Sequence, residues 1–312
     1  MNKAALIIPY FGQWPEWIEL YLYSCSKQKG IDFIFYTDCE LPHVIYSNTF
    51  FHKISFADYC TFVSKRLSIQ FHPQNAYKLC DLKVFYGIIH HQDLRYYEWW
   101  GFGDIDLIYG NLSLLVNESN MTKYDLLTTH VDRIAGHFTI MRKQSRYTKL
   151  CLAISCWKKK LSDIKNYGLD ENDFTRMAMP LKYKIIGQLY YHCINRFTHP
   201  DSKHYWFHKL EKMLCVWKSN MLMREFFTTF KPKPGLSCVY NLSTSGIECP
   251  TGQISRILTG GIYLHFMCFK KTPYYKTEHY WRDGFYQIPK EYDFSKGGLV
   301  EINTDVINIH EQ

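Results

Sequence analysis

Two carboxylates one residue apart stand in an otherwise apolar run, WWGFGDIDLIYG (99–110). In extended backbone the side chains of Asp104 and Asp106 share a side, and at a strand-end turn they converge. A carboxylate pair with an open, oxygen-rich shell suits Mg2+ or Mn2+, with substrate phosphates completing the coordination. The plain alternative is a solvated turn. A third ligand is available in GIYLHFMCFKK (261–271), where His265 precedes the basic pair Lys270 and Lys271. A lone histidine in an apolar strand is otherwise a satisfied core residue. LDENDF (169–174) carries Asp170 and Glu171 before a helical stretch, either as a helix cap or as a general base that takes a proton from a hydroxyl. In NAYKLCDLKVFYGIIH (75–90), Lys78 and Asp81 lie three apart on one helix face, with Lys83 close by. The flanking Tyr77, Leu79, Leu82 and Phe85 point to burial of that face. AGHFTIMR (135–142) offers Gly136 for close backbone approach, and His137 and Thr139 as hydroxyl-binding or ordinary strand residues.

The surrounding pattern supplies elements to position these groups. ALIIPY (4–9) reads as a buried strand, PEWIELYLYSCSKQ (15–28) as a helix with Pro15 and Glu16 in its first turn, and IDFIFYTD (31–38) as a second strand. HVIYSN (43–48) reads as a short third strand, and 56–69 and 75–90 as helices. Strands follow at 97–110, 124–130 and 137–142, then a helix over 147–161. Beyond about residue 180 the pattern weakens: 209–227 is apolar and basic by turns, KPKPG (231–235) breaks it, and 260–271 is a strand. Strand–helix–strand alternation predicts an α/β fold with a mostly parallel sheet, in which ligands bind at the carboxyl ends of the strands.

Of the 312 residues, 46% are hydrophobic and 21% charged, which excludes global disorder. The net charge of +8 favours an anionic partner but selects none. WKKKL (157–161) is the nearest approach to a basic run, so a nucleic-acid partner is not expected. The 11 cysteines lack framework spacing, which argues for a reducing cytoplasmic setting, and the sequons at Asn111, Asn117, Asn120 and Asn241 then count as chance. No apolar stretch reaches the length of a membrane span, and the amino-terminal apolar run is too short for a signal sequence.

GDID after WW, in a chain opening with LIIPYFG, resembles the D-x-D motif of nucleotide-sugar-dependent glycosyltransferases of the GT-A fold. The longer pattern YKLCDLKVFYGIIH…YYEWWGFGDIDLIYGNL is similar to glycosyltransferase-like proteins of bacterial capsule and O-antigen gene clusters. The likeness covers residues 4–142 and returns at 170–171 and 263–271. It implies a Rossmann-like GT-A sheet flanked by helices, with a helical acceptor-side insertion. It further implies that Asp104 reaches the ribose or a metal-bound water, that Asp106 and His265 ligate Mn2+ or Mg2+, and that Lys270 or Lys271 contacts the diphosphate. Lys78, Asp81 and Lys83 would lie against the nucleotide. Pro9, Tyr10, Phe11 and Asp38 would meet the base or ribose, and Ile105 joins the donor-binding residues. Gly136 and His137 would line the sugar, and Asp170 or Glu171 would act as the base.

The division this implies is a nucleotide-sugar-binding part at 1–142, a mainly helical acceptor-side region at 143–259, and a strand and tail at 260–312 that close the donor site. The implied reaction moves a sugar from a UDP-sugar, such as UDP-galactose or UDP-glucose, to a lipid-linked or oligosaccharide acceptor of a surface polysaccharide. Peripheral association with the inner face of the cytoplasmic membrane goes with such an acceptor. The basic-aromatic stretches 157–161 and 208–227 are the segments that would make it, unless they are ordinary helix faces. A D-x-D phosphatase is the weaker enzymatic reading: Leu107 and Ile108 follow the motif where Thr or Val would be required, and the motif is far from the first strand. The other alternative is a non-catalytic protein that keeps the fold and binds glycan or nucleotide.

Overall fold

The computed structural model describes residues 3–130, 133–179, 220–223, 237–248, 261–266 and 283–310. β1 (Ala4–Pro9) and β2 (Ile31–Thr37) are buried almost throughout, as continuous apolar runs covered on both faces must be. Alternate residues of β1 enter different cores: Leu6 and Ile8 pack on one side of the sheet, Ala5 and Ile7 on the other. Between these strands, α1 (Ile18–Ser26) buries every residue from Ile18 to Cys25 except Glu19. It is covered on its far side as well, where Tyr23 Oη donates to the Leu242 carbonyl at 3.0 Å.

The third strand begins later than the sequence predicts. β3 is Thr49–Lys53, and 43–48 forms the loop that leads into it. The reason is Asn48: its buried side-chain amide donates to the carbonyls of Cys25 and Ile31 at 3.0 and 3.1 Å, which anchors the loop before pairing starts. α2 (Phe56–Leu67) follows, with Ser55 accepting from the Asp58 N–H as its cap. The helix expected over 75–90 is a 3-10 helix at Ala76–Phe85 that continues into α3 (Tyr86–Ile89). Three residues per turn stack side chains at i and i+3 above one another, which places Lys78 directly over Asp81.

β4 (Trp99–Gly103) runs into the Asp104–Asp106 turn and then β5 (Leu107–Tyr109). After α4 (Glu118–Lys123) come β6 (Leu126–Thr128) and β7 (Phe138–Arg142). The helix expected over 147–161 is broken into α5 (Tyr147–Leu150) and α6 (Trp157–Ser162). Cys156 between them takes φ 54°, a left-handed conformation through which a helical hydrogen-bond ladder cannot run. α7 (Thr175–Ala178) ends this part.

β8 (Met221–Met223) lies inside the stretch expected to be helical; it pairs with β6 and completes the sheet edge. The helix-like stretch YKIIGQLYYHCINRF (183–197) lies outside the described residues. The seven-stranded sheet has the order β3-β2-β1-β4-β7-β6-β8. All neighbours are parallel except that β7 runs antiparallel to both β4 and β6. This is the mostly parallel, Rossmann-like α/β sheet flanked by helices that the sequence predicts. β9 (Cys238–Asn241), β10 (Ile247–Glu248), β12 (Leu299–Ile302) and β13 (Ile307–His310) form a separate antiparallel sheet, and β11 (Tyr263–His265) pairs with β5 in a two-stranded ribbon. Cys238 is disulfide-bonded, which the scattered cysteine spacing does not foretell; Cys25, Cys39, Cys60, Cys80, Cys151 and Cys156 are free. Among the described residues no helix is long and apolar enough to cross a membrane.

The approach of β7 to β4 depends on Gly101. A Cβ there would sit 2.3 Å from the Thr139 carbonyl oxygen and 2.9 Å from Ile140 Cα, both backbone atoms that cannot swing away. Gly101→Ala is therefore expected to destabilise the protein by about 1–3 kcal/mol, the usual cost of overpacking. Urea unfolding checks this, as a lowered midpoint with an unchanged slope.

Candidate functional site

The turn after β4 is held by three different elements at three consecutive residues. Asp104 N–H donates to the His137 carbonyl at 3.2 Å, extending the β4–β7 ladder. The Ile105 carbonyl accepts from Trp17 Nε1 at 2.8 Å, just ahead of α1. The Asp106 carbonyl accepts from Phe266 N–H at 3.2 Å, extending the β5–β11 ribbon. The two carboxylates thus emerge at the carboxyl edge of β1 and β4 in a fixed relative position, and β11 brings His265 to them.

Asp104, Asp106 and His265 each offer a ligand atom, all within 4.8 Å of one another. His265 Nε2 stands 3.4 Å from Asp106 Oδ2. Ligands around one Mg2+-sized ion at about 2.1 Å lie roughly 3–4.2 Å apart, so small side-chain rotations close this set on a cation. Two carboxylate oxygens and an imidazole are a donor set that could hold Mn2+, a hard ion suited to carboxylate oxygens. Asp106 and His265 are buried, and Asp104 is a third exposed, which leaves the shell open on its solvent side.

A row of rings backs the cluster. His137 stacks on His265 with centroids 4.5 Å apart, and meets His130 and Tyr263 edge-on at 5.1 and 5.5 Å. Burial first, then the neighbouring His265, His130 and Lys83, hold the His137 imidazole well below the usual histidine value, so it is neutral at pH 7. His137 supports the site from the side of the His265 ring. His130 and Tyr263 carried no motif signal; only their position at strand ends, visible once β6, β7 and β11 are aligned, marks them.

Lys83 joins the cluster to the second acidic pair. Its Nζ donates to Asp104 Oδ1 at 2.5 Å and to the Gly136 carbonyl at 2.9 Å. Burial works against its charge, but Asp104, Cys80 and Asp170 outweigh it and keep the ammonium well above the ordinary lysine value. Gly136 is a close-approach glycine: a Cβ would stand 2.6 Å from Asp170 Oδ2, and its N–H donates to Glu171 Oε1 at 3.3 Å. Glu171 is half exposed and faces Arg133 Nε at 3.8 Å. Arg133, in the loop between β6 and β7, also escaped sequence reasoning, because an isolated arginine in a turn carries no pattern.

Asp170 is buried, and burial raises its carboxyl to about 7, with Glu171 and Asp104 adding to the shift and Lys83 opposing it. It opens a single wide turn at 170–174 that continues into α7. The Glu171 N–H donates to Asp170 Oδ1 at 2.9 Å, but the cap position of this turn is Leu169, so Asp170 does not serve as the helix cap.

Several predicted contacts are different in the structure. Lys78 does not reach toward a nucleotide: its Nζ donates to Asp81 Oδ2 at 2.8 Å, to the Lys160 carbonyl at 2.8 Å and to the Lys165 carbonyl, which uses all three protons. Asp81 accepts from the N–H groups of Tyr167 and Leu169. Lys78 and Asp81 therefore tie the 3-10 helix to the segment that carries Asp170. Phe11 is buried against Phe56 and Tyr59 and cannot stack on a base. Thr139 is fully buried, bonded to the Ala135 carbonyl and to Thr128 Oγ1, and holds the 135–137 loop rather than a sugar. Pro9 ends β1, and Tyr10 beyond it stacks on Trp14 at 5.1 Å with its phenol raised to about 12 by burial, Cys39 and Asp106. Asp38, at the end of β2, accepts from the Gly12 N–H at 2.7 Å, where Gly12 takes φ 103°. Ile105 is partly buried against the core below. Lys270 and Lys271 lie outside the described residues.

Fold and site together define an α/β protein with an Asp-Asp-His cluster at the carboxyl edge of a mostly parallel sheet. Over residues 6–234 the chain matches a family of unknown function (DUF6625), and it belongs to that family. No curated protein matches it.

Two outcomes follow from this geometry. Asp81→Ala leaves the Lys78 ammonium and two backbone N–H groups buried without their carboxylate, and is expected to cost about 3–5 kcal/mol in urea unfolding. For Asp170 the folded value lies above the ordinary 3.8, so the folded state binds the extra proton. Its contribution to stability is then fullest below that ordinary value and is lost as pH rises to about 7. Thermal melts across this window should show a decline in the wild type that Asp170→Asn flattens.

Proposed function

We propose that this chain is a metal-dependent glycosyltransferase of the GT-A type, which moves a sugar from a nucleoside diphosphate-sugar, in the first instance a UDP-sugar, to an acceptor of a bacterial surface polysaccharide. The observation that carries the reading is the convergence of Asp104, Asp106 and His265 at the strand ends, in a chain whose longer sequence pattern resembles that group. Asp106 and His265 would hold Mn2+ or Mg2+, with Asp104 on the open side. When bound, the ion supplies positive charge against the diphosphate leaving group.

The protein's own groups have distinct roles in this reading. Lys83 presents a permanent ammonium beside Asp104. Tyr10 and Asp38 sit at the ends of the two neighbouring strands, on the side where a nucleoside would lie against the sheet edge. Gly136 lets a hydroxylated ligand approach the backbone beside Asp170 and Glu171. A carboxyl poised near neutrality suits proton transfer from an acceptor hydroxyl, and Asp170 is the group so poised. Arg133 restrains Glu171 at the same mouth. A lipid-linked acceptor, and with it peripheral association at the cytoplasmic face of the membrane, belongs to the same proposal.

Titration calorimetry of UDP tests it. UDP is expected to bind in the presence of Mn2+ and to be lost with EDTA. Asp106→Ala should weaken metal-dependent binding by at least about 100-fold, because losing a direct ligand costs no less than the roughly 10–100-fold of an outer-shell change. UDP binding indifferent to both EDTA and Asp106→Ala would favour the non-catalytic, nucleotide-binding alternative.

A further inference from the structure

Lys83 occupies a position that a simple metal site has no use for. Its ammonium is bonded to Oδ1 of Asp104, one of the three groups that converge as cation ligands. A divalent ion in the cluster would stand close to a buried, permanently charged lysine, and like charges at such range repel strongly. The side chain is 9% exposed, so solvent does little to screen it. Its second partner is an uncharged one, the Gly136 carbonyl, on the side of Asp170 and Glu171. The ammonium therefore has an anchor that it keeps when its bond to Asp104 is broken.

We propose that Lys83 is a resident cation that makes metal binding conditional on the diphosphate. This rests on the glycosyltransferase reading for the identity of the diphosphate. With the site free, Lys83 neutralises Asp104 and competes with a divalent ion for it. A diphosphate arriving at the open side of the cluster offers the ammonium a better, doubly charged acceptor. Lys83 turns to the phosphate while still held by the Gly136 carbonyl, and Asp104 is released to the metal. Metal and diphosphate thus bind with positive coupling, each strengthening the other by the same factor. The free protein is protected from filling its site with a cation when no donor is present.

The test is Mn2+ binding followed by electron paramagnetic resonance of free Mn2+, with and without UDP, in wild type, Lys83→Met, Lys83→Gln and Lys83→Arg. Lys83→Gln can still donate to the Gly136 carbonyl, and so guards against a folding defect in Lys83→Met. Both neutral variants are expected to bind Mn2+ alone at least about tenfold more tightly than wild type, the scale of removing one charge from beside a divalent ion even at the dielectric of water. The gain in Mn2+ affinity on adding UDP should be smaller by the same factor, and Lys83→Arg should behave as wild type. Neutral variants that are folded and bind Mn2+ alone no more tightly than wild type would overturn the proposal. Tighter Mn2+ binding by these variants with no UDP binding in any protein would uphold the competition by Lys83 and count against the donor reading instead. Absence of Mn2+ binding throughout would overturn both.

Discussion

The fixed point of this structure is the peptide backbone between Asp104 and Asp106. Three successive residues are bonded to β7, to the indole of Trp17 and to the chain just after β11. A turn held at one place can rock; a turn held at three in succession cannot, because each bond removes a rotation that the others leave. The carboxylates inherit that rigidity, which a cation-binding pair needs if the free protein is not to relax into a collapsed arrangement. The cost is that three elements distant in sequence must all be in place, and much of the architecture serves that requirement. α1 is buried between two sheets, so Trp17 is immobile. Gly101 brings β7 within bonding range of β4.

A second level of support surrounds Asp170. A buried carboxyl keeps a raised value only if its loss of water outweighs what favours the ionised form, here Lys83 and the Glu171 N–H, and only if the segment that carries it does not shift toward water. Lys78 and Asp81 meet the second condition from a distance. Their ion pair is closed on itself and on backbone groups of 160–169, so it fixes the approach to Asp170 without lending it charge. Lys83 works in the opposite way, open to both acidic pairs at once. Two lysines five residues apart on one 3-10 helix thus have different functions, because one has all its protons committed to the scaffold and the other faces the mouth.

The sheet and the D-x-D turn were legible in the sequence because they depend on local signals: apolar runs, a Pro and Gly after the first strand, two carboxylates at spacing two. His265 was legible for the same reason, as a polar residue in an apolar strand beside a basic pair. What could not be read was which partner each polar group chooses. Lys78 and Lys83 look alike as sequence, and only the packing of 160–169 against the 3-10 helix separates them. Phe11 and Tyr10 are adjacent aromatics, and the alternation of strand faces continuing past Pro9 decides that one enters the core. The start of β3 and the break at Cys156 were missed because each is set by a tertiary bond or a single unusual dihedral, not by propensity.

His265 enters the cluster on β11, far along the chain from the carboxylates it faces and beyond the span matched by the family. During synthesis the amino-terminal sheet can assemble with Asp104 and Asp106 in place well before that imidazole has left the ribosome. A protein cut after the family-matched region would keep both aspartates and lose the imidazole along with the bond that steadies Asp106. Assembly of the three-residue cluster therefore requires the chain to be made and docked through β11, and a product cut before that strand is left with the two carboxylates alone.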